Sequence, residues 1–181
     1  MKDCFIHNGR DLDIKLFDFF SWWSSNLMSN ATRGVLAEFI VALALGCDDQ
    51  ERLGEWNEYD LLTHDGIKVE VKCSAYLQSW KQQALSRISY SIAPSRSYNC
   101  DTATYEKTIS RKSDVYVFCL LDCVDREIVN PLNLNQWRFF IMPTTEIDRL
   151  FGAQKTVSLN RLMRFTEKTD FSGISAKVRS F

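Results

Sequence analysis

Glu70-Val71-Lys72 follows Asp60 and, further upstream, a lone Glu38 in an apolar segment; no other grouping in the chain is as well suited to chemistry. Three carboxylates and a lysine in this order suit metal-dependent cleavage of a phosphodiester. The acids would hold a cation. Two carboxylates about 4 Å apart repel by roughly 1 kcal/mol in water and about 4 kcal/mol at a surface-like dielectric. Bringing three together implies a counter-charge, which a hard divalent cation with oxygen ligands supplies.

An acid-x-Lys pair alone carries no information, because a chain with 23 acidic residues holds roughly one by chance. Asp13-Ile14-Lys15 is such a match, and it falls in a segment read as helical, so it is set aside. Glu70-Val71-Lys72 differs in its setting. On a strand, residues two apart share a face. Lys68, Glu70 and Lys72 therefore line one face, while Ile67, Val69, Val71 and Cys73 line the other. Asp60 is expected on the neighbouring strand, within reach of Glu70. The competing reading is a plain amphipathic hairpin with Lys68 paired to Glu70. Glu38 is the single carboxylate between Gly34 and Gly46. Buried unpaired, it would be costly or would protonate, so it needs a metal, a water cluster or a cation such as Arg33.

The elements that must position these residues follow from hydrophobic period and turn chemistry. Residues 11–28 read as a mostly buried helix. A second helix runs from about Thr32 to Leu45, capped from Asn30-Ala31-Thr32 and stopped by Gly46. Glu55 to Thr63 reads as a strand, His64-Asp65-Gly66 as a tight turn, and Ile67 to Cys73 as its antiparallel partner. Ser74 to about Ser89 reads as a helix with Tyr76, Leu77, Trp80, Ala84, Leu85 and Ile88 as its apolar stripe. Residues 90–113 form a long polar connection, a wall that could close on a bound strand. The apolar run from Asp114 to Leu121 predicts a central strand covered on both faces. Trp137 to Met142 predicts another, followed by short helices near 144–151 and 158–164. The expected architecture is α/β, a mixed central β-sheet flanked by helices. It forms one domain over 1–181, with an N-terminal helix (11–28), a core of about 31–143 and short C-terminal helices (144–181).

Arg33-Gly34-x-x-x-Glu38, then Asp60, then Glu70-Val71-Lys72 followed by Ser74, resembles the PD-(D/E)XK nuclease superfamily, which has the restriction-endonuclease-like fold. The resemblance covers roughly residues 31–121. It implies that Asp60, Glu70 and the Val71 carbonyl ligate Mg²⁺, with Mn²⁺ able to substitute. It also implies that Lys72 orients or activates the attacking water, and that Glu38 holds a metal directly or through water. Tyr59 stands where the motif's name places proline. No Gln-x-x-x-Tyr follows Lys72, which argues against the RecB-like branch. Residues expected to touch substrate are Ser74, Gln78, Trp80, Arg111 and Lys112.

Composition bounds this reading. A net charge of -1 does not advertise a nucleic-acid binder. Acidic metal ligands, however, mask basic surface, and the second half carries Arg96, Lys107, Arg111, Lys112, Lys155, Arg161 and Arg164. DNA is the expected partner, RNA the other nucleic acid the pattern allows, and a homodimer would let two sites address two strands. Without an apolar run long enough to span a bilayer, without a signal-peptide core, and with irregularly spaced cysteines that read as reduced thiols, the expectation is a cytoplasmic protein free of membrane. The rival function is a non-catalytic nucleic-acid-binding or protein-interaction module on the same fold.

Overall fold

The computed structural model describes residues 3–50, 53, 57–96, 98, 99, 104, 105 and 107–181. In chain order the elements are β1 (Cys4–His7), β2 (Arg10–Lys15), α1 (Leu16–Trp23), α2 (Asn30–Leu45), β3 (Leu61–Leu62), β4 (Lys68–Ala75), β5 (Ser89–Ser91), β6 (Tyr98–Asn99), β7 (Thr104–Tyr105), β8 (Val115–Leu121), β9 (Trp137–Pro143), α3 (Thr144–Phe151), β10 (Thr156–Ser158), α4 (Leu159–Leu162), β11 (Lys168–Thr169) and α5 (Ile174–Val178). A five-stranded mixed sheet in the order β11-β9-β8-β4-β3 forms the centre, and β4 and β8 are parallel. Among the described residues, no helix is long and apolar enough to cross a membrane.

Every residue of β8 is buried, as expected of a strand covered on both faces. Its alternate side chains serve two cores. Val115, Val117, Cys119 and Leu121 join Val69, Val71 and Ala75 of β4 under Ala37, Ile40 and Val41 of α2. Tyr116, Phe118 and Leu120 join Ile147 and Phe151 of α3 and Leu159 and Leu162 of α4 on the other side. Helix α2 ends where expected but starts at Asn30, so that Ser29, and not the Asn30-Ala31-Thr32 stretch, supplies its cap. The Ser29 side chain accepts a hydrogen bond from the Thr32 amide, and Gly46 ends the helix at φ 70°, a left-handed conformation that glycine adopts without Cβ strain.

One expected helix is shortened and another is replaced. Within 11–28 the chain first makes β2, with Leu12 and Ile14 alternating against Asp11, Asp13 and Lys15, and only then the eight-residue α1. Asn8 (φ 49°) and Gly9 (φ 71°) make the turn that pairs β1 with β2. Asn-Gly between two short runs is a strong hairpin signal, and the helical reading overlooked it. This segment is also exposed, not buried: no residue from Asp3 to Asn26 is buried. Asp13-Ile14-Lys15 accordingly lies on a strand.

Between Ser74 and Ser89 there is no helix. Strand β4 continues through Ser74 to Ala75, and residues 76–88 form an irregular loop. Side-chain amides there take the backbone bonds that a helix would use. Gln82 Oε1 accepts the Gln78 amide at 2.7 Å, and the Ser86 amide closes on the Tyr76 carbonyl at 3.0 Å. Gln78 Nε2 donates to the Ala75 carbonyl and to Ser86 Oγ. The strand expected over Glu55 to Thr63 is reduced to Leu61–Leu62, paired antiparallel with β4, while Glu55 and Trp56 lie outside the described residues.

Trp137 is fully buried in the α2 core, and its Nε1 donates to the Pro131 carbonyl at 2.9 Å. Trp137→Ala leaves a large cavity and an unpaired carbonyl, so a loss of about 3–5 kcal/mol is expected. Urea denaturation checks this.

Candidate active site

Strand β4 positions the site because its two edges and two faces are each committed. Its parallel register with β8 sets Glu70 beside Tyr116 and Lys72 beside Phe118. Asp114 anchors the start of the strand: its amide donates to the Lys68 carbonyl at 2.8 Å, and its Oδ2 accepts the Lys68 amide at 2.9 Å. On the opposite edge β3 begins only at Leu61, and Asp60, just before it, completes the pairing. The Asp60 amide donates to the Val69 carbonyl at 3.0 Å, and its Oδ2 accepts the Val71 amide at 2.7 Å. Within a strand, a residue's N–H and C=O point to the same edge. The Val71 carbonyl therefore faces the edge where Asp60 stands.

Asp60, Glu70 and Lys72 line one polar cleft of about 350 Å³. Glu58 stands beside them. The far wall is Arg96, Tyr98, Tyr105 and Lys112 from the long connection between β5 and β8. Glu70 Oε1 pairs with Lys72 Nζ at 2.5 Å, both side chains being mostly covered. Lys68 does not take the role that the plain-hairpin reading gave it, because its Nζ lies over the Tyr59 ring, 5.3 Å from the centroid. Glu38 sits on the other side of Asp60. It lines an adjoining, mostly apolar cavity of about 220 Å³ with Val35, Phe39 and Leu61, and Asp60 lines both cavities. The guanidinium of Arg33 donates to the Met28 carbonyl, Asn30 Oδ1 and Gln78 Oε1.

The electrostatics of this cleft are unfavourable to its own charges. Burial raises the Glu70 carboxyl above the ordinary carboxylate range, Lys72 opposes the rise, and the negative charges of Asp60 and Glu38 add to it. Tyr116 is pushed up to about 12 by burial and by the Glu70 charge. A site whose ionised form is disfavoured in the absence of a ligand is one that a cation would satisfy. The donors near Asp60 are two carboxylates and a backbone carbonyl, all oxygen, which suits a hard cation. Among the described residues no three His, Cys, Asp or Glu side chains form a ready cage. Mg²⁺ does not require one, since it commonly binds through one or two carboxylates, water and substrate phosphate. The donor set fits.

The other sequence-selected residues are dispersed. Ser74 is on β4, two residues beyond Lys72 and on the same face, and it caps no helix. Gln78 is buried and spent on the 76–88 loop. Trp80 is exposed in that loop, where Arg126 holds its carbonyl, and lines neither cavity. The Arg111 side chain is only 1% exposed, ion-paired to Asp148 and donating to the carbonyls of Ile92, Gly152 and Gln154. It holds the long connection against α3, so that the next residue, Lys112, reaches the cleft wall. Sequence reasoning missed Glu58, Tyr98 and Tyr105. The tyrosines pair across β6 and β7 with ring centroids 5.0 Å apart, a cross-strand aromatic pair that no short-range period announces. The five described cysteines, Cys4, Cys47, Cys73, Cys119 and Cys123, are free thiols.

Residues 23–161 match the sequence profile of the family described as Bacteriophage T4 endonuclease IV. The chain belongs to that family. The match spans both cavities, α2, the long connection and β9, and leaves the β1–β2 hairpin outside. A search of curated proteins found no match. Membership in the T4 endonuclease IV family implies an endonuclease, hence a phosphodiester hydrolase, with DNA as its substrate.

The pH dependence has a definite sign. Glu70 binds its proton more tightly folded than unfolded, so the metal-free protein loses stability as pH rises from the ordinary glutamate range through the raised value. Glu70→Gln should therefore melt higher than the parent in chelator near neutral pH. The gap should close in acid, where the parent protonates. Thermal melts across pH check this, and a lower melting temperature for Glu70→Gln at neutral pH would contradict it.

Proposed function

We propose that this member of the T4 endonuclease IV family is a divalent-metal-dependent deoxyribonuclease with a restriction-endonuclease-like core, working in the cytoplasm and using Mg²⁺ or Mn²⁺. What supports this reading above all is that Asp60, Glu70 and Lys72 line one cleft whose far wall carries Arg96 and Lys112. Asp60, Glu70 and the Val71 carbonyl would hold the cation, with Glu38 acting through water from the adjoining cavity. The cation, when bound, supplies Lewis-acid polarisation of the phosphate and neutralises developing negative charge.

The remaining work falls to the protein's own groups. Lys72, ion-paired to Glu70 on the same face of β4, would donate hydrogen bonds to the attacking water or a non-bridging phosphate oxygen. Water attacks phosphorus and sheds one proton as the bond from phosphorus to one sugar oxygen breaks, and that oxygen takes up one proton as it leaves, so that the water is divided between the two products. Lys72 stabilises the charge gathered on the phosphate as this happens. Lys112 and Arg96 neutralise neighbouring phosphates along the wall, and Ser74 stands two residues beyond Lys72 on the same face to steady bound water or substrate.

Lys72→Ala should lower cleavage of plasmid or short single-stranded DNA by at least ~10²-fold, with a cooperative melt retained. Asp60→Asn should abolish Mg²⁺ or Mn²⁺ binding measured by calorimetry. Wild-type activity in Lys72→Ala would remove the assignment. A folded wild type that neither binds metal nor cuts would favour the non-catalytic module.

The two neighbouring cations should separate cleanly. Lys112→Ala should weaken DNA binding and reduce the slope of log affinity against log salt by about 0.7–0.9. Arg111→Met should leave that slope unchanged and instead destabilise the fold by about 1–3 kcal/mol, through stranded carbonyls. Salt titrations and denaturant melts of both variants distinguish the roles.

A further inference from the structure

The N-terminal hairpin and α1 have the composition of a protein interior but lie on the surface. Ten large apolar side chains between Phe5 and Trp23 are exposed, Phe17 by 75% and Trp22 by 76%. Nothing in this segment is buried, from Asp3 through Asn26. A fully exposed aromatic side chain offers about 150–250 Å². Six aromatics at roughly half exposure, with four aliphatic neighbours, therefore leave on the order of 900 Å² of apolar surface. A standard protein interface takes about 800 Å² from each partner, and a monomer's largest apolar patch is about 300–600 Å².

The backbone is equally incomplete. Strands β1 and β2 form a two-stranded sheet of their own. An isolated hairpin is marginal in water and needs a third strand or a packed face. Charge narrows the occupant: Asp3, Asp11, Asp13 and Asp18 against Lys2, Arg10 and Lys15 leave the segment with no basic excess, which disfavours nucleic acid and anionic lipid. A second copy answers each demand. If β2 pairs antiparallel with β2 of the second copy about Asp13, Asp11 faces Lys15 and Leu12 faces Ile14, each twice by symmetry. One Asp13 pair at the axis is the cost, and opposite-charge and apolar cross-strand pairs outweigh it in number.

We infer that the β1–β2 hairpin and α1 are a self-association surface through which two copies of this chain form a two-fold dimer, joined at β2 into a four-stranded sheet with the aromatic faces of both α1 helices closed over each other. This surface lies outside the residues matched to the endonuclease family, apart from Trp23 at its end, and the inference does not rest on the chemistry proposed for the cleft.

Sedimentation velocity on the full chain at micromolar concentration tests it, beside Phe17→Glu/Trp22→Glu and, separately, Ile14→Lys. The expected result is a wild-type dimer and a dissociation constant raised at least 100-fold in each variant, with far-ultraviolet circular dichroism and a cooperative melt retained. Should the double variant misfold, Ile14→Lys alone carries the test. A wild type that stays monomeric, or an Ile14→Lys protein that dimerises as tightly as the parent, overturns the inference. So does a monomeric wild type that pellets with phosphatidylcholine vesicles, which would assign the aromatic surface to a membrane.

Discussion

The parallel ladder between β4 and β8 is the constraint on which the site depends. Strand β8 is buried on both faces, so neither its register nor its orientation can slip without exposing one core. Pairing from Val69 with Val115 to Ala75 with Leu121 transmits that certainty to β4. A one-residue shift would turn Val69 and Val71 into the cleft and push Glu70 and Lys72 under α2, where unpaired charge is prohibitive. The chemical face of β4 is thus defined by the apolar demands of its reverse face and of its neighbour.

Given that frame, the cleft is assembled at the place where β3 begins. An antiparallel partner continuing alongside β4 would have covered the Val71 carbonyl and kept Asp60 in a ladder. Instead the chain bends, and the Asp60 carboxylate takes over the Val71 amide. One side chain both terminates a sheet edge and brings negative charge next to Glu70. That repulsion adds to burial, the larger cause, in raising the Glu70 carboxyl, a local cost carried by a well-packed sheet. Such costs concentrate at functional sites, where ligand binding relieves them. Lys72 offsets part of it in the absence of a cation.

The two sides of Asp60 differ in character. Toward Glu70 the space is polar and faces cationic and tyrosine side chains; toward Glu38 it is mostly apolar. Glu38 lines that apolar side, and its charge adds to the rise of the Glu70 carboxyl. The long connection that walls the polar side is held by the buried Arg111, which reaches the carbonyls of Ile92, Gly152 and Gln154. A residue selected from sequence as a contact to substrate is in fact the staple that presents its neighbour.

Much of the scaffold was legible in the residues themselves. Helix α2 with its Gly46 stop, the buried run of β8, β9 and α3 are local patterns whose period or capping has one reading. The alternation of Glu70 and Lys72 against Val69 and Val71 was equally local, because a strand's side chains alternate whatever surrounds them. The sequence by itself therefore determined the central elements and which face of β4 is polar. Tertiary structure decided the rest. Tyr76 to Ile88 has helical spacing, yet Gln78 and Gln82 capture the backbone once Arg126 and Ser86 are brought near. Arg111 and Lys112 are adjacent cations that no pattern separates until one meets buried carbonyls and the other a cleft. Tyr98 and Tyr105 meet only when β6 pairs with β7. Each outcome depends on which group far along the chain satisfies a polar atom or covers an apolar one, and those partners exist only after folding.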